Sequence, residues 1–459
     1  MQIDLIGPKR VAGQVTLPAS KSISNRVLVM NQLAGAANGV PRNVSDCDDT
    51  RVMLQWLKEQ PAVVDIGAAG TAMRFSSALL AVTDGERVIT GTERMKNRPI
   101  GVLVDALRTL GAEVEYVEKE GFPPLRIKGR SDLEGGELSL PGNVSSQYIS
   151  ALLMIAPMLK RGLRLTLTGT VISRPYINLT MQLMREFGAE VEWVSENEIV
   201  VGTRRYVARD YYVENDWSAA SYWYEMVALS DEGAEVVLPG LYKESYQGDA
   251  KVAEIFEKLS VESTFFEEKG VPCVRLRKGG QVCTRLDYDF VNQPDLAQTF
   301  VVTCCLMGVP FHFTGLQSLK IKETDRITAL RQELGKLGFE VQEANDAELF
   351  WEGDSRGNAW DTEHDGTRDT ECGGTRDTEH GEGRDTERGD ARDTEDGEGR
   401  NTERGCSEPI DTYEDHRMAM CFAPAAMCLG RLRIREPQVV SKSYPGFWEE
   451  LRKAGFTIW

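Results

Sequence analysis

The 459 residues contain no apolar run long enough to cross a bilayer. The longest, around Ala151 to Leu159, is far short of the ~20 residues a membrane helix needs and is interrupted by Pro157. Met1 to Arg10 carries Asp4, Lys9 and Arg10 and lacks the apolar core of a signal peptide, so no targeting segment is expected there. Cysteine has no organising pattern: there are nine, an odd number, with Cys304 and Cys305 adjacent and no Cys-x-x-Cys pair. Neither a disulfide framework nor a zinc site is indicated, and a reducing, cytoplasmic compartment is expected. A basic excess is missing too, since 53 Lys and Arg against 71 Asp and Glu leave a net charge of -18. No nucleic-acid or membrane partner is expected.

What is present is an ordinary globular composition, 41% hydrophobic and 27% charged. The chain exceeds the usual size of one compact core, which makes two domains the starting expectation. The acidity is local. Between residues 360 and 407, 16 Asp or Glu face 7 Arg, so half of the net charge sits in about a tenth of the chain. This stretch is a tandem octapeptide, Trp360-Asp-Thr-Glu followed by Arg368-, Arg376-, Arg384- and Arg392-Asp-Thr-Glu and Arg400-Asn-Thr-Glu. It holds almost no large apolar residue and cannot offset chain entropy by burial, so a disordered acidic insertion is expected over 353–407. Stacked repeats need inward apolar positions that this unit lacks. Calcium loops need alternating Asp/Asn ligands and a bidentate Glu, which it also lacks.

A longer repeat organises the rest. An amphipathic helix followed by a short β-branched strand begins near Val52, Leu103, Leu179, Val252, Ile327 and Phe447, often with a Gly at the helix C-terminus. Successive copies start roughly 50 to 75 residues apart except the last interval of about 120, which falls to about 72 when the octapeptide block of about 48 is removed. The block is therefore an insertion within the sixth unit. Six helix-and-strand units by themselves specify only an α/β (α+β) class.

The chemistry-bearing strings are Lys21-Ser22-Ile-Ser-Asn-Arg26, Gly70-Thr-Ala-Met-Arg74, Arg98-Pro-Ile-Gly101, Ser145-Ser146-Gln147-Tyr148, Lys322-Glu323-Thr-Asp-Arg326 and Asp415-His416-Arg417-Met-Ala-Met420. In this order they resemble the motifs of the 5-enolpyruvylshikimate-3-phosphate synthase family, across nearly the whole chain. The resemblance implies a two-domain enolpyruvyl transferase fold with three helix-and-sheet units per domain. It implies crossings near Ser20-Lys21 and Glu214-Asn215, giving a discontinuous domain of 1–20 plus 215–459 and a second of 21–214. It also implies transfer of the enolpyruvyl group of phosphoenolpyruvate to shikimate 3-phosphate, in the shikimate pathway to chorismate and aromatic amino acids. No metal or organic cofactor is called for, and a monomer is the family's usual case.

Two such substrates present two phosphates and two carboxylates, and Lys21, Arg26, Arg74, Arg98, Lys322, Arg326, Arg417 and Lys442 are the cations available to meet them. Arg suits planar bidentate contact, Lys a mobile point charge. By motif position, Ser22, Arg26, Ser145, Ser146 and Ser173 resemble shikimate 3-phosphate contacts, with Ser145-Ser146 equally readable as a helix cap. Gly70, Arg98, Gln147, Arg326, Arg417 and Lys442 resemble phosphoenolpyruvate contacts, and Lys21 would touch both ligands. Asp295 matches the family's proton acceptor and Glu323 its proton donor. Crowding by Lys322, Arg326 and Lys21 favours ionised carboxylates, which suits a base better than an acid. His416 is placed beside Arg417 as a positioning group.

Three positions depart from the family pattern: Ala68 where Asn is common, Phe75 where Pro is frequent, and Ser318 where Asn often stands. Two other readings were weighed. A transferase acting on UDP-N-acetylglucosamine would carry Lys-Asn at the first motif and a reactive loop Cys, against the Lys21-Ser22 found here. A binding protein with an inactive core would use the acidic repeat, but Asp295, Glu323 and the cations are intact.

Overall fold

The computed structural model describes residues 1–35, 41–353 and 408–459. The octapeptide block, expected over 353–407, lies outside the described residues apart from Gly353. Among the described residues no helix is long and apolar enough to cross a membrane.

One connection pattern is used repeatedly. Strands Val63–Asp65, Gly85–Thr90, Glu113–Tyr116 and Leu125–Gly129 lie in the order first, second, fourth, third, the first pair parallel and the others antiparallel. Gly136–Pro141, Leu163–Thr168, Val191–Ser195 and Glu198–Val201 repeat it. So do Leu286–Asp289, Phe311–Thr314, Gln342–Ala344 and Glu348–Trp351. A fourth sheet has the same order with its chain split, Ala12–Gln14 pairing in parallel with Glu235–Pro239 before Val271–Val282 and Leu259–Glu268. A fifth is assembled from both ends. Ile410 bridges in parallel to Leu432–Arg435, whose other neighbour is the antiparallel Gln2–Ile6, and that strand also pairs with Thr457–Ile458. The remaining unit is reduced to the bridges Arg42–Tyr212 and Ala19–Asn215.

A parallel pair requires a crossover, and here the crossover is a helix. The helices at this position are Lys21–Leu33, Gly70–Ala81, Ser146–Ile155, Trp217–Ala228, Ala297–Met307 and His416–Phe422, and they are mostly or wholly buried. Buried on most of their faces, although Lys21–Leu33 and His416–Phe422 carry polar and charged residues among the apolar ones, they form the interior. The second helix of each unit is amphipathic and covers the outside, as in Asp48–Glu59, Gly101–Thr109, Arg174–Glu186 and Arg326–Lys336. These outer helices carry the repeat visible in sequence. Several end on a left-handed Gly, including Gly188 and Gly338, both at φ 91°. The first copy differs, because Val63–Asp65 after it opens a new sheet instead of completing its own.

Buried apolar side chains fall into two clusters. One draws on Leu5–Leu17 and on residues from Trp217 to Phe456, the other on Ala19 to Val213. The chain passes between them twice, side by side, with Ser20 N donating to Glu214 O at 2.8 Å and Asp216 N to Pro18 O at 2.9 Å. Glu214 anchors the junction by accepting from Trp217 Nε1 and Tyr242 N at 2.9 Å each, Ser245 Oγ at 2.7 Å and Gln247 Nε2 at 2.9 Å.

Phe75 does not disturb its helix. Gly70–Ala81 is continuous, Phe75 is fully buried within it, and the Arg26 guanidinium lies 5.2 Å above the Phe75 ring. Phe75→Ala should lower the unfolding free energy by about 3–5 kcal/mol, read from denaturant titration, because the cavity would lie between rigid buried helices. A change below about 1 kcal/mol would mean the site collapses around the loss.

Candidate active site

The N-terminal segments of the six interior helices converge on one cleft between the two cores. The first turn of a helix leaves N–H groups unsatisfied at the positive end of its dipole, so such convergence favours anions. The cleft holds a cavity of about 520 Å³, whose wall includes Lys21, Ser22, Gly70, Thr71, Ser145, Ser146, Asp216, Ser218, Asp295, His416 and Arg417. Side chains at these helix starts also serve as caps. Ser145 Oγ accepts from Gln147 N at 3.4 Å, and Asp415 Oδ1 from Arg417 N at 2.9 Å.

Of the residues expected from sequence, Lys21, Ser22, Arg26, Gly70, Arg98, Ser145, Ser146, Gln147, Ser173, Asp295, Lys322, Glu323, Arg326 and Arg417 all line this cavity. Lys442 is not part of the wall. Its ammonium donates to Glu414 O at 2.8 Å, and its own carbonyl accepts from Lys21 Nζ at 3.3 Å. A Cβ at Gly70 would stand 2.6 Å from Arg98 Nη1, so a side chain there would displace the Arg98 guanidinium. Arg74 also lines the cavity; it donates to Gly70 O at 3.1 Å and Pro99 O at 3.2 Å, which ties it to the loop that carries Arg98. Arg26 donates to Thr180 Oγ1 at 2.7 Å, Ser22 O at 2.8 Å and Ser150 Oγ at 3.1 Å.

Arg326 connects the two candidate catalytic carboxylates. Its Nη2 reaches Glu323 Oε2 at 2.7 Å and its Nη1 reaches Asp295 Oδ1 at 3.3 Å. Its Nε and Nη2 hold Asp415 at 2.7 and 3.3 Å. Asp295 also pairs with Lys322 Nζ at 3.3 Å and Arg417 Nη2 at 2.9 Å. Burial alone would raise the pKa of Asp295, but Arg417, Lys322 and Arg326 more than offset it and hold the carboxyl below its ordinary range. Burial likewise opposes ionisation of Glu323, while the cations Arg326, Arg98 and Lys21 bring its pKa well below the ordinary value. Burial works against the charged form of Lys21, yet Asp49, Cys47 and Glu323 raise its pKa. For Arg26 burial prevails and brings the pKa down to about 10, still charged near neutrality.

Some groups escaped sequence reasoning. Asp49, buried in the cavity wall beside Lys21, has its pKa raised by burial against that ammonium's pull. In sequence it is the last of a short acidic run at a helix start, which reads as ordinary dipole compensation. The Tyr176 hydroxyl lies 3.1 Å from Asp249 and 3.4 Å from Asp295, and a lone Tyr in an amphipathic helix gave no signal. His416 is buried in the wall with neither ring nitrogen hydrogen-bonded; burial, then Lys21 and Arg417, put its pKa well below the ordinary value, so it is neutral. Ser318 Oγ is a buried, unpartnered hydroxyl of a wall residue. Among the described residues no three His, Cys, Asp or Glu side chains converge to hold a metal ion.

Arg326 and Asp415 are 1% and 0% exposed. Removing one partner of a buried pair leaves an uncompensated charge. Asp415→Ala should therefore cost about 3 kcal/mol of unfolding free energy, the low end for such pairs, because Glu323 and Asp295 still face the guanidinium. Denaturant titration measures it; a loss under about 1 kcal/mol would show that those two carboxylates suffice.

Comparison with known proteins agrees with this geometry. A family model described as EPSP synthase (3-phosphoshikimate 1-carboxyvinyltransferase) matches residues 5–61, 57–366 and 389–451. A 3-phosphoshikimate 1-carboxyvinyltransferase from Bacteroides fragilis is 52% identical over 458 residues, covering 100% of this chain and 99% of the relative. Its counterpart from Erwinia tasmaniensis is 35% identical over 473 residues, with 96% of each chain covered. The fold matches that of an EPSP synthase from Acinetobacter baumannii with a TM-score of 0.73 at 22% identity, over 100% of both chains. With six motifs in order, one repeated connection pattern and relatives matched from end to end, the chain belongs to the EPSP synthase (3-phosphoshikimate 1-carboxyvinyltransferase) family.

Proposed function

We propose that this cleft transfers the enolpyruvyl group of phosphoenolpyruvate to the 5-hydroxyl of shikimate 3-phosphate, releasing phosphate, in a cytoplasmic monomer. The observation that carries this is the placement of Asp295 and Glu323 on one arginine, Arg326, in a cavity with cations on both sides. Residues 1–20 with 215–459, and 21–214, act as two domains that close on the substrates. Lys21, Ser22, Arg26, Ser145, Ser146 and Ser173 bind shikimate 3-phosphate, with Lys322 and Asp295 near its reacting hydroxyl. Gly70, Arg98, Gln147, Arg326, Arg417 and Lys442 bind phosphoenolpyruvate, and Lys442 leaves Glu414 to reach it. The acceptor presents one phosphate and small hydroxyls, which suits the serines; no feature of the cavity favours a nucleotide sugar.

In the addition, Asp295 takes the hydroxyl proton as oxygen bonds to C2 of phosphoenolpyruvate, and Glu323 protonates the methylene carbon. In the elimination, Glu323 recovers a proton from the resulting methyl group as the C–O bond to phosphate breaks. The proton on Asp295 leaves with the phosphate, whose developing charge is met by the surrounding cations. Glu323 is ionised in the free protein, so it must be protonated before it can donate. Bound phosphate and carboxylate groups neutralise Arg98, Lys21 and Arg326, and remove the attraction that keeps its proton off.

A phosphate-release assay with both substrates tests the reaction, on the full chain and on one lacking 360–407. Asp295→Asn and Glu323→Gln should each lower kcat by about a hundredfold or more. No release from the unsubstituted chains would sink the proposal, and release only with UDP-N-acetylglucosamine as acceptor would redirect it. The protonation step has its own signature. Because anionic ligands raise the pKa of Glu323, adding shikimate 3-phosphate with inorganic phosphate near pH 7 should draw protons onto the protein. Calorimetry in buffers of different ionisation enthalpy would detect the uptake, and it should shrink in Glu323→Gln; equal uptake in both proteins would assign the proton elsewhere.

A further inference from the structure

Arg94 lies outside the cavity wall, on the short helix Glu93–Lys96 that precedes Arg98, and belongs to the 19–213 side of the cleft. Its guanidinium crosses to the other side. Nη1 and Nη2 each donate to Tyr413 O at 3.3 Å, Nη2 donates to the backbone carbonyl of Glu323, and Nη1 pairs with the Glu414 carboxylate. One side chain thus grips two loops of the opposite side: the one bearing the candidate acid Glu323, and the turn leading into Asp415, His416 and Arg417.

That turn has little freedom to hold its shape alone. Tyr413 and Glu414 are consecutive non-glycine residues in left-handed backbone, at φ 52° and 55°. Such residues persist only where neighbours determine them. The neighbours are on the page: the Tyr413 hydroxyl donates to Glu333 Oε1 at 2.5 Å and Gln332 Oε1 at 2.9 Å, and Lys442 Nζ donates to Glu414 O at 2.8 Å. Arg94 supplies the only one of these restraints that comes from across the cleft. The Arg94 and Glu414 side chains are 35% and 56% exposed, so the ion pair by itself contributes little. The contacts to backbone carbonyls set this arginine apart, because a planar fork donating to two loops fixes their separation, which a point charge cannot do.

We propose that Arg94 is a positioning residue: a latch that engages the Glu323 and Tyr413 carbonyls as the cleft closes and sets the acid and the Asp415–Arg417 segment against the substrates. This rests on the transferase reading above. It requires no contact between Arg94 and either substrate, consistent with its place outside the wall.

The test uses the full chain with Arg94→Ala, Arg94→Lys and Glu414→Gln. Misplacement of reacting groups by about an ångström costs up to about a hundredfold, so Arg94→Ala should lower kcat about ten- to a hundredfold. The KM for each substrate should move less than about threefold, the pattern of an interaction realised beyond the ground state. Arg94→Lys, keeping charge without the fork, should recover only part of kcat, and Glu414→Gln should stay within about twofold of the unsubstituted chain. Small-angle scattering with shikimate 3-phosphate should show contraction in the unsubstituted chain and less in Arg94→Ala. A normal kcat and contraction in Arg94→Ala overturns the latch, as does a rise in KM at unchanged kcat. If Arg94→Ala melts early, the kcat and KM of Arg94→Lys decide. Failure of the unsubstituted chain to release phosphate would instead overturn the transferase reading, so the two failures are distinguishable.

Discussion

The site is organised around Arg326. A guanidinium that is 1% exposed cannot remain charged without partners, and it has three: Asp415, Glu323 and Asp295. Each partner ties a different part of the chain to that point. Asp415 caps the His416–Phe422 helix, Glu323 lies in the loop before the Arg326–Lys336 helix, and Asp295 precedes the Ala297–Met307 helix. The planar fork sets the spacing between the two candidate catalytic carboxylates, which a lysine at this position could not do. Arg326 and Asp415 are 89 residues apart, and the octapeptide block of about 48 accounts for just over half of that separation.

What was legible in the sequence divides along the two classes of helix. The outer helices are amphipathic, so their period is visible and six copies could be counted, with the block recognised as an insertion in the last. The interior helices are buried on most of their faces and present no amphipathic stripe to detect. Their N-terminal residues were found only as motifs, by resemblance. Periodicity therefore gave the class and the count, and the motifs gave the site. Neither shows how the sheets are ordered, or that one is assembled from both ends of the chain, because pairing between Gln2–Ile6 and Leu432–Arg435 leaves no local trace. Asp49, Tyr176 and Arg94 escaped for a similar reason, since each matters through a partner far away in sequence.

The departures at Phe75 and Ser318 have different consequences. Phe75 replaces nothing the ligand would touch; it fills the interior and lies under Arg26. Ser318 leaves an unpartnered hydroxyl in a wall residue, where a longer amide would reach further into the cavity. Their positions make Phe75 a packing residue and Ser318 a change in the cavity wall.

Asp295 and Glu323 present a harder problem, because the same kind of environment depresses both pKa values while the chemistry needs one base and one acid. The origin of the cations separates them. Asp295 is held down by Arg417, Lys322 and Arg326, all from its own side of the cleft. Glu323 shares Arg326, but its other cations, Arg98 and Lys21, stand on the opposite side. The charge state of Asp295 is therefore set by cations of its own core. That of Glu323 depends on how near the other core stands and on whether an anion lies between. On the proposed reading, a carboxyl held ionised in part by cations of the facing core gains its proton when substrate neutralises them, which ties proton donation by Glu323 to occupancy of the site.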